Sequence, residues 1–243
     1  PDGRKTESDP FETLYLDENV KNQPAAALQL VAKEILHLSD QVKKVLHDTV
    51  TVVKENQMQG VDKIQEESAK VTKLTDKITD YLAGLFSSGL LTEQQASQTA
   101  GLMYVLGDVE RIGNLSAGIA LSMKEKETNQ YKYSQEAMDE LAKCLKTLEK
   151  MFDSATKALR GDTTVELEKL MKRKDKIVNL DIMMRKSHIQ RVNKGKCKAS
   201  LTTPFTNILH LIDRMGNSCI NLADAATNEV ALKYFLPKDE MTM

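Results

Sequence analysis

The segment Glu110-Arg-Ile-Gly-Asn114 returns 103 positions later as Asp213-Arg-Met-Gly-Asn217, each copy reading acid, Arg, apolar, Gly, Asn. Both copies stand in stretches almost free of charge. Gly101 to Met123 holds only Asp108, Glu110 and Arg111, and Leu201 to Ala226 holds only Asp213, Arg214 and Asp224. A pattern repeated at this distance in matching surroundings points to a duplicated folding unit. Charges so sparse must be paired, liganded or placed at an edge.

The spacing of apolar residues around the pentads predicts helices. Pro24 suits a first helical turn, and Leu28, Val31, Ile35, Leu38, Val42, Val45 and Leu46 then recur mostly at three and four, through Val50 and Val53 to about Asn56. After Gly60 a second helix reads Ile64, Val71, Leu74, Ile78, Leu82 and Leu85, and stops near Ser87-Ser-Gly89. Thr92 and Gln95 form a capping box for a third, expected to reach about Met123.

Residues 124–133 read as a polar linker, and Ser134 caps a fourth helix with Met138, Leu141, Leu145, Leu148, Met151 and Phe152, ending at Gly161. A fifth is expected from Thr164, carrying Leu167, Leu170, Ile177, Leu180, Met184 and Ile189 to the turn Asn193–Lys196. A sixth is expected from about Thr203 to Tyr234. Few glycines and prolines, aromatics at 5% and plentiful Leu, Ala, Met, Lys and Glu agree with an all-α chain. The expected organisation is a polar leader (1–22) and two tandem three-helix bundles (23–126 and 134–236), six long helices with a pentad in the last helix of each half.

Net charge of −1 gives no footprint of a nucleic-acid binder, and the three scattered cysteines give neither a disulfide framework nor a zinc knuckle. No stretch approaches the roughly 18 apolar residues of a membrane span. Gly-rich phosphate loops, nucleophile elbows and close Cys and His clusters are absent, so the chain is read as no enzyme. Asp76 and Asp80, one turn apart, lie among many charges and read as a solvated face, as does the basic run Lys172–Lys176. His210, one turn before Asp213, reads as a structural histidine.

The pentads offer two chemistries. Glu110 and Asn114 share a helix face, as do Asp213 and Asn217, so each acid can pair with Lys or Arg on a neighbouring helix while Gly permits close packing. The same oxygens could instead hold iron, manganese, magnesium or zinc. Glu110, Asn114, Asp213 and Asn217 are therefore the candidate metal ligands, with Asp108 and Asp224 behind them.

The passages LGDVERIGNLSAGIA from Leu106 and LIDRMGNSCINLADA from Leu211 resemble the PhoU family of phosphate-signalling proteins. YLDENVKNQPAAALQLVAKEI from Tyr15 and SHIQRVNKGKCKAS from Ser187 are similar to the PhoU-like cytoplasmic domain of bacterial sodium/phosphate cotransporters. That resemblance implies a regulatory domain at the cytoplasmic face of the inner membrane, joined to a membrane-embedded transporter part of the same polypeptide. The alternatives are a free-standing PhoU-type regulator that meets an importer and a sensor kinase, and a metal-dependent hydrolase. A homodimer is left open.

Some family members hold iron or zinc clusters through motifs of the form acid, three residues, Asp. Here both motifs end in Asn, at Asn114 and Asn217, a weaker donor that brings no charge to offset a cluster of cations.

Overall fold

Pro24 opens α1 (Pro24–Glu55), and Asn56 closes it in the left-handed region at φ 53°. The computed structural model describes residues 11–128, 133–162, 165–227 and 232–236. A 3-10 turn, Met58–Gly60, leads into α2 (Val61–Ser87). The expected capping box at Thr92 forms in both directions, its amide donating to Gln95 Oε1 at 3.0 Å and its Oγ1 accepting from the Gln95 amide at 3.2 Å. It starts α3 (Glu93–Thr128), which runs on into the expected linker; residues 129–132 lie outside the described part.

Ser134 accepts the Ala137 amide at 3.2 Å and caps α4 (Gln135–Leu159). Gly161, at φ 101°, supplies the left-handed turn that follows. The expected start of the fifth helix at Thr164 falls outside the described residues, and α5 is seen over Leu167–Asn193. The sixth helix, α6, is seen over Thr202–Thr227, and residues 228–231 of the expected run to Tyr234 lie outside the described part. Leu232–Tyr234, expected as the end of that helix, form a 3-10 turn.

The six α-helices of the described residues form the expected two bundles. α3 packs on both α1 and α2, and α6 on both α4 and α5, as short up-down-up connections require. The halves meet through α1 against α4 and α3 against α6, so α2 and α5 lie on the outside. Both meetings are antiparallel. Asp40 binds Arg160 at 2.7 Å and His47 binds Glu149 at 2.7 Å, while Asp108 accepts from Asn221 and Gly118 faces Leu211. Asp108 is thus level with Asn221 and Gly118 with Leu211, which places Gly113 and Gly216, the pentad glycines, level at the midpoint. The duplicated unit is arranged about an approximate two-fold axis.

The described part of the leader, from Phe11, is docked on the bundle. Glu34 is fully buried in α1, and its carboxylate accepts the backbone amides of Leu14, Tyr15 and Leu16 at 2.7–3.3 Å. Three donors satisfy a charge that would otherwise be costly to bury. Tyr81 Oη adds a bond to the Asp17 carbonyl at 2.7 Å, and Phe11 is buried.

Candidate functional site

The first pentad faces α2. Asn114 Oδ1 accepts from Ser68 Oγ at 2.9 Å and from Thr72 Oγ1 at 3.3 Å, and its Nδ2 donates to Glu110 Oε1 at 3.3 Å. Gly113 brings α3 close to its neighbours, since a Cβ there would stand 3.3 Å from Val42 and 3.4 Å from Val71. Among the described residues no cation pairs with Glu110.

The second pentad has the same frame and different chemistry. Lys174 of α5 stands 103 positions after Val71 and takes its place against the pentad glycine. Its ammonium binds the Asp213 carboxylate and reaches the Asp213 carbonyl at 3.4 Å, while Asn217 Nδ2 donates to Asp213 Oδ2 at 3.4 Å. The expected pairing of an acid with a neighbouring helix's Lys is therefore seen at Asp213 and not at Glu110. Lys174 belongs to the basic run read as a solvated face, yet its side chain is only 12% exposed.

The two pentads do not converge. Asp108 and Gly118 face α6, and Glu110, two positions from Asp108, lies about 200° around the helix. What α3 and α6 do share is a cleft of about 300 Å³ lined by Tyr104, Asp108, Asn221 and Asp224, so the two lesser candidates, one from each repeat, meet there. Asp108 Oδ1 accepts from Arg111 at 2.9 Å and from Asn221 at 3.4 Å.

These donors do not suit a multinuclear iron or zinc cluster. One pentad supplies a single carboxylate and an amide oxygen that already accepts two hydroxyls; the other supplies a carboxylate that carries an ammonium. Among the described residues no three His, Cys, Asp or Glu side chains gather as a ligand set.

Sequence reading missed a polar cluster at the far end of α5. Arg191 is buried, with Nη1 donating to Ser187 at 2.6 Å and to Glu140 at 3.3 Å. His188 Nε2 lies 3.0 Å from Thr202 Oγ1, and its ring stacks on Phe205 at 4.9 Å. Burial, with the Arg191 guanidinium beside it, holds the His188 imidazole below its ordinary value. Cys197 Sγ sits 3.8 Å from Nδ1, and burial pushes that thiol up. The signal was available, because His188 and Arg191 continue the buried face of Ile177 and Met184 at helical spacing. His210, in contrast, is exposed and not a structural histidine, and Asp76 and Asp80 are exposed as expected.

The fold and the two pentads define a class, a duplicated three-helix unit closed about an approximate two-fold axis. A family profile described as the PhoU domain matches residues 35–123 and 141–226, one copy in each half. The chain belongs to the PhoU family. Its fold is similar to PhoU from Pseudomonas aeruginosa, with TM-score 0.73, 14% identity and coverage of 86% of this chain and 97% of that one. It is also similar to the phosphate transport system regulatory protein PhoU from Streptococcus pneumoniae, with TM-score 0.67, 16% identity and coverage of 84% and 95%. A search of curated proteins finds no match. The chain carries the PhoU-like fold of phosphate-transport regulators. Among the described residues no helix is long and apolar enough to cross a membrane.

Proposed function

We propose that this protein is a PhoU-type phosphate-signalling regulator, a non-catalytic helical scaffold that contacts a phosphate importer and a sensor kinase and alters their activity by binding. The observation that supports this is the pair of PhoU domain matches, which cover both bundles from α1 to α6. The chemistry of the pentads supports the same reading. Asn114 and Asp213 are spent on helix–helix contacts to Ser68, Thr72 and Lys174, which suits struts that fix the angle between helices better than a reacting centre.

A second reading, the regulatory domain of a sodium/phosphate cotransporter, draws support from the leader. The segment from Tyr15 that resembles that group is tied to α1 through Glu34, so a preceding polypeptide would enter the bundle through a fixed joint. In that reading the protein works at the cytoplasmic face of the inner membrane against its own membrane part. Sequencing the open frame upstream of Pro1 separates the two, since only the second requires apolar spans there.

The regulatory reading is tested by expressing the chain in a bacterium lacking its own PhoU. Restored repression of phosphate uptake in phosphate-rich medium is the expected result. Unregulated uptake despite abundant folded protein would overturn it.

A further inference from the structure

The outer helix α5 exposes an apolar stripe that the bundle does not use. Met171, Val178, Ile182 and Ile189 are 44%, 42%, 59% and 55% exposed, and they recur at seven, four and seven residues. That is the spacing of alternating d and a positions along a coiled-coil seam. The intervening seam positions are Asp175 and Arg185, which completes six consecutive layers from Met171 to Ile189. The core-facing residues of α5, Leu170, Ile177 and Met184, lie about a third of a turn away, so the stripe is additional to the fold. At the corresponding positions of α2, 103 residues earlier, stand Ser68, Thr75, Thr79 and Phe86. The repeat's own packing therefore does not demand an apolar stripe here.

The stripe is self-complementary when reversed. In an antiparallel pair of α5 helices centred on residue 180, Met171 meets Ile189 of the second copy, Val178 meets Ile182, and Asp175 meets Arg185. Each apolar layer finds an apolar layer, and each acid finds a base. Asp175 makes no hydrogen bond or ion pair among the described residues. Arg185 uses only Nε on Asp181, at 2.9 and 3.1 Å, which leaves the ends of its guanidinium for a second carboxylate. A shift of register or a parallel arrangement would set charge against an apolar side chain or like against like, so the two charged layers specify this pairing.

We propose that the stripe is a docking surface for a second copy of this chain, forming a two-fold antiparallel α5–α5 dimer over about 27 Å of helix. Sedimentation equilibrium across micromolar concentrations tests it, with expected results of a dimer for the unchanged chain and at least a tenfold weaker association for Ile182→Asp. Because Asp175→Arg sets Arg against Arg185, it should weaken the dimer similarly. Adding Arg185→Asp to it should restore the dimer, which a merely misfolded variant would not do. In a Cys197→Ser background, Val178→Cys protein mixed with Ile182→Cys protein should form a disulfide faster than either alone. A chain monomeric throughout, a stripe whose variants leave association unchanged, failure of the charge reversal, or binding of the monomer to anionic lipid vesicles through the stripe would each overturn the proposal.

Discussion

Lys174 lies across Gly216, so close that a Cβ on the glycine would stand 3.0 Å from its Cδ, and this path carries the ammonium to Asp213. At the equivalent place in the first repeat, Gly113 faces the branched Val42 and Val71. The same glycine thus makes room for a flexible charged stem in one bundle and for rigid apolar side chains in the other.

The two glycines should therefore respond differently to alanine. Gly113→Ala must push into a buried wall, and overpacking of ~1–3 kcal/mol exceeds the ~1 kcal/mol gained in helix propensity, for a net loss of roughly 1 kcal/mol. With Gly216→Ala the lysine swings aside and gives up an ion pair whose Asp213 carboxylate is half exposed and which is of small value, leaving stability within about 0.5 kcal/mol of the unchanged chain. Urea denaturation measures both, and equal losses would contradict the account.

Glu34→Ala should release the leader. Its carboxylate holds three backbone amides in a buried place, and leaving those donors without an acceptor costs ~1–3 kcal/mol. Limited proteolysis is the sensitive measurement. Cleavage between Phe11 and Lys21 should appear early in the variant and late in the unchanged protein, with α1 to α6 protected in both.

Acid should loosen the far end of α5 through His188. Its folded value lies below the unfolded one of about 6.5, because burial and Arg191 oppose the charged form, so the unfolded chain binds the extra proton. The stability this residue contributes is complete above about pH 6.5 and is lost as pH falls through its lowered folded value. His188→Gln should keep the Thr202 contact and remove that part of the pH dependence. Melting temperatures at pH 7.5 and 5.5 should converge more in the variant than in the unchanged chain.

Protein purified without chelator should hold less than one iron or zinc per chain. Glu110 brings one carboxylate, and a cation at Asp213 would have to expel Lys174. Elemental analysis finding two or more ions per folded chain would show that the pentads bind a cluster after all.

Much of the fold was legible because helix boundaries depend on local chemistry. Pro24, the Thr92 and Gln95 box, Ser134 and Gly161 act within a turn of their own positions, and all four do what their residue types predict. Less legible was the fifth helix, where Ile189 reads as a core residue by spacing and stands 55% exposed. Spacing gives the phase of an apolar residue around a helix, but not how wide an arc the neighbouring helices cover.

The sequence by itself determined that the chain is six helices in two related units, since apolar period, caps and a repeated pentad are all written locally. Only the tertiary structure decided what the pentads do. Whether an acid meets a lysine, a hydroxyl or a metal depends on residues some forty positions away on another helix, Ser68 and Thr72 for Asn114 and Lys174 for Asp213. The same holds for Glu34 and Arg191, ordinary charged residues in the chain, whose burial follows from how segments distant in sequence close over them.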